Sequence, residues 1–342
     1  MQTFINILVT LLVFGILILA HEAGHFFVAK ACKVKVNEFS IGMGPALIKK
    51  QGKETLYSIR LLPIGGFVQM DGEDGEGTDE NSFNKKPYWN RFLILVMGAV
   101  MNIVLGFILI CIINSQTALL PTTVVAEFDN NSLSNSYGLK EYDRITKIEN
   151  YNVNSFLDIT YALSTSGTQP IDITVIRDEK EHVLTDVVFP IANDDQIGEY
   201  FSLDFKVFGE KRSFISTIKY SFDWTISISK SIYSFFGTLF TGSADINQVS
   251  GPVGTTAAIG ESVQAGLDSL LLIVALISIN LGIVNLLPFP ALDGGRVFLL
   301  IIESIRKKPL NPKIETGINA VGLILLLALM AVITIKDVIN LF

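Results

Sequence analysis

Four apolar runs, at about 4–29, 92–113, 269–289 and 317–335, constrain this 342-residue chain more than any other feature. Each is close to the ~20 residues an α-helix needs to cross the ~30 Å hydrocarbon layer of a bilayer. The apolar residues are gathered into blocks instead of being spread as in a soluble core. The expected fold class is therefore a polytopic α-helical membrane protein of about four transmembrane helices, carrying a large polar insert. The formal net charge is −7 and no basic tract occurs, so nothing favours nucleic acid as a partner. Cys32 and Cys111 lie in or beside apolar blocks, where they read as small fillers, and the insert holds no cysteine for a disulfide. Met1 to Asn6 has no Lys or Arg and the first run is too long for a signal-peptide core, so the run is expected to stay in place as a membrane helix.

Lys and Arg set the orientation. Ten of them lie between Lys30 and Arg91 and five more in the short loop expected from Arg296 to Lys313, which assigns both stretches to the cytoplasmic side. The N-terminus and the insert then lie outside. The C-terminal end of the third apolar run falls at the same depth as the end of the first.

That depth matters because the first run ends in His21-Glu22-Ala23-Gly24-His25. On a helix, residues four apart share a face about 6 Å apart along the axis, so both imidazoles can close on one ion. Glu22 falls about 100° round the helix, beside that ion, where a carboxylate can take a proton from water. Ionisable residues inside a membrane segment are costly and are read first as functional. The pattern points to Zn2+ held by His21 and His25, with Glu22 as general base. A catalytic zinc usually takes three protein ligands and leaves one position open. The remaining histidine, His182, lies in the insert, so the third ligand is a carboxylate or a thiol. Asp293 leads by depth, with Glu303, Cys111 and Asp268 behind it. Cys32 is about 10 Å further along the same helix and out of reach.

Between the first two runs, Tyr57, Ile59 and Leu61 alternate with polar residues and Gly65-Gly66 supplies a turn. This predicts a membrane-associated β-loop, whose edge at Tyr57, Ile59, Leu61, Gly65 and Gly66 would pair with an extended substrate backbone. Asp71 to Glu80 reads as a solvated acidic loop, and Asn102 in the second run as facing a partner helix or the site. In the insert, strands are expected at 123–128, 144–148, 171–177 and 183–189 and a helix at 156–164. Gly138-Leu139-Lys140-Glu141-Tyr142-Asp143-Arg144-Ile145-Thr146-Lys147-Ile148-Glu149-Asn150 resembles the turn and strand of a PDZ domain, with Tyr142 at a usual glycine and Glu149-Asn150 in place of Asn-Gly. The insert thus reads as a small PDZ-like β/α domain. The stretch 213–240 reads as an amphipathic helix at the outer interface. The expected domains are 1–114, the first membrane half; 115–195, the PDZ-like domain; 196–266, a linker with the interfacial helix; and 267–342, the second membrane half.

The HEAGH segment, Ser250-Gly251-Pro252-Val253-Gly254, Asn285-Leu286-Leu287-Pro288-Phe289-Pro290-Ala291-Leu292-Asp293-Gly294-Gly295 and the PDZ-like insert, in this order, resemble the bacterial site-2 proteases of the regulator-of-sigma-E type. The resemblance implies zinc at His21, His25 and Asp293, Glu22 as general base, and Asn285 as a substrate-binding residue. It implies regulated cleavage of single-span membrane proteins, such as anti-sigma factors or signal-peptide remnants, after an upstream site-1 protease. The lipid bilayer is the other expected partner, and the cell membrane the expected location. A rival reading is a non-catalytic membrane scaffold with a structural metal. An intact Glu22 speaks against it, because a structural site takes four protein ligands and needs no base. A zinc transporter would want further metal stations, and no other clustered ligands occur in the sequence.

Overall fold

The computed structural model describes residues 2–73, 75, 77, 79–194, 198–241, 249–308 and 310–339. The chain runs α1 (Gln2–Ala31), β1 (Val36–Gln51), β2 (Leu56–Met70), α2 (Tyr88–Asn114), β3 (Leu119–Phe128), α3 (Leu133–Ser136), β4 (Arg144–Ile148), β5 (Tyr151–Asn152), α4 (Phe156–Thr165), β6 (Ile171–Arg177), β7 (Lys180–Val187), β8 (Ile191–Asp194), β9 (Gly198–Phe201), β10 (Phe205–Lys211), α5 (Phe214–Thr241), α6 (Pro252–Ala265), α7 (Leu267–Asn285), α8 (Asp293–Arg306) and α9 (Pro312–Ile339). Two compact units result, Met1–Leu109 with Ser250–Phe342, and Ile110–Val249.

The first unit holds the membrane helices. Among the described residues, four helical stretches are long and apolar enough to cross a bilayer: Phe4–Ala31, Tyr88–Asn114, Leu267–Asn285 and Lys313–Ile339. Helices in lipid gain little from hydrophobic burial and associate through close packing at small residues. Both α1 and α7 pack along α6, and each also approaches α2 closely at a glycine. A Cβ at Gly24 of α1 would fall on the Met97 carbonyl of α2, and one at Gly282 of α7 would stand 2.7 Å from the Ala99 carbonyl. The Ser278 hydroxyl of α7 also donates to the Asn102 carbonyl of α2 at 2.7 Å. α6 is tied down from a distant part of the sequence, since Asp337 of α9 accepts from the backbone N–H groups of Gly251 and Gly254 at 2.9 and 2.8 Å, capping its first turn.

β1 and β2 pair with each other twice over because each is bent. Phe39, Ser40 and Ile41 pair with Val68, Phe67 and Gly66 on one side and with Tyr57, Ser58 and Ile59 on the other. Beyond Gly42 and Gly44, both at positive φ, β1 turns back, and its Ile48, Lys49 and Lys50 cover the far side of Ile59, Ser58 and Tyr57. Arg60 ties the bend together, donating to Glu38 at 2.7 Å and to the Gly44 carbonyl at 2.8 Å, with its guanidinium over Phe67.

In the second unit, five antiparallel strands run in the order β10-β3-β4-β6-β7, with β5 on β4 and a separate β8–β9 pair. The strands and helix expected at 123–128, 144–148, 171–177, 183–189 and 156–164 correspond to β3, β4, β6, β7 and α4. The sheet also takes in β10, at 205–211, which the sequence assigns to a linker. Ile145, Ile148, Ile159, Leu163, Ile173, Val175, Phe189, Phe201 and Phe205 fill its core. Asp143 is fully buried beneath them and is held by Arg177 through Nε and Nη2, each at 2.7 Å, and by the Lys140 N–H at 2.9 Å. Removing one partner of such a pair strands a buried charge. Arg177→Ala is therefore expected to cost this unit about 3–5 kcal/mol, read in a thermal or denaturant melt followed by hydrogen exchange at β4 and β6. A melt unchanged by the substitution would show that Asp143 does not depend on the arginine. Left-handed backbone occurs at Tyr142 and at Glu149, and not at Asn150. Tyr142 is kept there with its ring 5.2 Å from that of Phe208.

α5 has an inverted pattern. It buries Ser216, Thr217, Ser221, Thr225 and Ser227 and exposes Phe214, Ile215, Ile218 and Phe222. Its polar face is satisfied inside the unit, where Ser227 bonds Ser155 at 2.8 Å and Ser221 accepts from Asn114 at 3.0 Å. It is not among the helices that meet the length and hydropathy of a membrane span.

Candidate metal centre

The site starts from the last turns of α1, which carry His21, Glu22 and His25 at the spacing read in the sequence. α7 ends at Asn285, four residues short of the end of the apolar run, because Pro288 and Pro290 cannot continue it. The chain turns through Ala291, at φ 71°, whose N–H is held by the Asn319 side chain of α9 at 3.3 Å. Asp293 then opens α8, a helix the sequence reading leaves as a loop. Gly294 and Gly295 are packed so tightly under the carbonyls of Leu286, Leu287 and Phe289 that no side chain fits there. The LDGG stretch thus fixes Asp293 by backbone packing.

Asp293 Oδ2 stands 3.1 Å from His21 Nε2 and 3.3 Å from His25 Nε2, and the two Nε2 atoms are 3.2 Å apart. This near-equilateral triangle matches one face of a tetrahedron, since zinc with ligands at about 2.0–2.2 Å keeps neighbouring ligand atoms about 3.3–3.6 Å apart. Oδ2 is buried and accepts no well-formed hydrogen bond. Two imidazoles and a carboxylate that converge in this way are a donor set able to hold a zinc ion. Among the described residues, no other group of three His, Cys, Asp or Glu side chains converges in this way. Glu303 is engaged elsewhere, 3.1 Å from Arg91 and accepting the Leu310 N–H at 2.7 Å, and Cys32 and Cys111 are free thiols outside the cluster.

His25 donates through Nδ1 to the Ile94 carbonyl of α2 at 2.8 Å, which leaves Nε2 as the ring's lone-pair atom. A Cβ at Gly98 would strike the same imidazole, so α2 is hollowed to receive it. Gly66 of β2 backs onto Glu22, where an added Cβ would lie 3.0 Å from the Glu22 Cγ. The β-loop therefore reaches α1 beside Glu22. The edge it brings there differs from the expected one. Tyr57 and Ile59 are paired on both sides, because the second half of β1 folds back over them, so they offer no free edge to a substrate; Leu61 sits on the same bent strand. The segment 66–70 is paired on one side only among the described residues, and Gly65, at φ 82°, makes the turn into it. Asn285 is half-buried at the end of α7. Ile94 and Gly98 are absent from the sequence reading. The available signal was their spacing, since 94, 98 and 102 repeat the interval of His21 and His25.

The model of peptidase family M50 matches residues 9–329, nearly the whole chain. The chain belongs to peptidase family M50. A chain from Clostridium acetobutylicum, named as a candidate zinc metalloprotease, is 39% identical over 99% of this chain and 98% of its own length. The zinc metalloprotease RasP of Bacillus licheniformis is 29% identical over 98% and 99% of the two chains, and the regulator of sigma-W protease RasP of Bacillus subtilis 28% over 99% and 100%. Those two alignments extend over 422 and 424 positions, so both relatives carry segments that this chain lacks. This M50 peptidase is a multi-pass membrane protein and a zinc metalloprotease, as the site-2 protease family is.

Proposed function

We propose that this M50 peptidase cuts peptide bonds within or beside the membrane segments of single-span proteins, with His21, His25 and Asp293 as zinc ligands and Glu22 as general base. The triangle of donor atoms at the end of a membrane-length helix, with Glu22 next to it, carries the reading. Zinc held by these three side chains would supply a Lewis acid, able to polarise the scissile carbonyl and to make water acidic enough to react near neutrality. Glu22 takes the proton of the attacking water and passes it to the leaving amine. No covalent intermediate is required.

A substrate helix hides its peptide bonds in its own hydrogen bonds and has to unwind locally. The edge at 66–70 lies beside Glu22 and is suited to replace the lost bonds by strand pairing. Asn285 holds the substrate backbone from the other side. Proline placed in turn at 67, 68 and 69 is expected to split into alternating classes, because successive N–H groups point to opposite sides of a strand. Those facing outward slow cleavage with little loss of melting temperature, whereas Ile59→Pro, in the doubly paired segment, lowers both. Unchanged cleavage in all three edge variants would rule out strand pairing.

Following the Lys and Arg distribution, the N-terminus and the second unit lie outside and the site faces the cytoplasmic side. The second unit, PDZ-like in its Gly138 to Asn150 segment, acts as a size filter that admits substrates already trimmed by another protease. Membrane-bound anti-sigma factors are a fitting substrate class, given the sigma-W regulation in the name of the Bacillus subtilis relative. The test is to reconstitute the full chain with a tagged single-span substrate and map the products by mass spectrometry. The expected cut lies in or next to the apolar segment, stops with a zinc chelator and returns with zinc. Cuts confined to water-exposed loops would sink the proposal.

A further inference from the structure

Against His25 and His21 of α1, α2 presents its own residues at four-residue spacing: Ile94, Gly98 and Asn102. Ile94 gives a backbone carbonyl to His25, and Gly98 gives its ring room. Asn102 meets His21. Its side chain is fully buried, with the carboxamide nitrogen 3.4 Å from His21 Nδ1 and the carboxamide oxygen without a hydrogen-bond partner. The bond from Ser278 to the Asn102 carbonyl fixes this turn of α2 from the other side.

We propose that Asn102 is a positioning residue for His21: its side-chain oxygen accepts the Nδ1–H of His21 and so keeps the Nε2 lone pair turned toward His25 and Asp293. The proposal rests on the reading of these three residues as zinc ligands. A neutral imidazole has one proton, and a ring that ligates through Nε2 must carry it on Nδ1. With the nitrogen of Asn102 facing it, donor would oppose donor and the oxygen would stay unpaired as well. A half-turn of the carboxamide exchanges its two ends, forms one good bond, and leaves only the amide NH2 without a partner. The two histidines thus differ in how they are secured. His25 relies on a backbone carbonyl that no substitution removes, whereas His21 relies on a side chain. Partners of this kind, behind a metal ligand, fix its tautomer and ring orientation and raise its basicity.

The test uses the full chain in detergent micelles and measures zinc affinity by competition with a chromophoric chelator. Asn102→Leu keeps the shape and removes the acceptor, and is expected to bind zinc about 10–100-fold more weakly. Asn102→Asp can only accept, and is expected to hold zinc within about threefold of the native chain. Native affinity in the leucine variant overturns the proposal, and so does a folded aspartate variant as weak as the leucine one. Melting temperatures accompany each measurement, and if the leucine variant does not fold, Asn102→Ala takes its place in the comparison. Asp293→Ala is run alongside. If it keeps native zinc affinity, the ligand assignment itself fails. If it loses zinc while Asn102→Leu does not, only the role of Asn102 falls.

Discussion

Glu22→Gln is expected to reduce cleavage of a single-span substrate by about 10²–10⁴-fold, the usual share of a general base, while zinc content stays native. The amide has the shape of the carboxylate and so disturbs neither the neighbouring Gly66 nor the α1–α2 contact, and it removes none of the three converging donor atoms. It cannot accept a proton. Cleavage assays paired with metal analysis of the same preparation separate these two consequences. Turnover within tenfold of native by a zinc-loaded Gln variant would mean that another group is the base.

Asp293→Ala is expected to abolish zinc retention through purification and, with it, activity. Two histidines without a third donor are two ligands short of a tetrahedron, and a site that usually keeps three protein ligands loses most of its affinity when one goes. Asp293→Asn retains an oxygen without the charge and should fall between the alanine variant and the native chain. Cys32→Ala and Cys111→Ala should keep both zinc and activity, since neither thiol belongs to the cluster. Elemental analysis decides this, and full zinc occupancy in Asp293→Ala would move the third ligand elsewhere.

The parts of the molecule that were legible in the sequence are those encoded over short distances. Apolar runs of membrane length became α1, α2, α7 and α9, and the alternation and turn residues at 57–66 became part of β2. The interval of four between His21 and His25 needs nothing beyond a helix to bring the rings together. What remained hidden depends on partners far along the chain. β10 is a strand because β3 offers it an edge, and α6 starts at Pro252 because Asp337 caps it from α9. α8 reads as a loop since its charges are prominent, yet Leu300 and Glu303 are buried and Arg91 neutralises the latter. The free strand edge lies elsewhere than expected for the same reason, because the alternation at Tyr57, Ile59 and Leu61 marks a strand without telling which of its sides is already taken. Asn102 could be noticed as polar in an apolar run, but its match to His21 follows only once α1 and α2 are set side by side.

That match has a bearing on how the protein meets membranes of different thickness. Ile94 and Gly98 at His25, together with Asn102 at His21, act like two teeth of a ratchet between helices. Sliding α1 by one notch, about 6 Å, would set His25 against the Asn102 carboxamide and carry Gly24 away from the hollow it fills at Met97. Intermediate positions drive the Gly98 backbone into the imidazole. A bundle locked in this way answers a thinner or thicker bilayer by leaning as a whole, and not by shear between these two helices. In vesicles of short-chain and long-chain lipids, zinc affinity should therefore hold constant while cleavage rates change, the lipid altering how deep a substrate hangs beside a site that does not itself move.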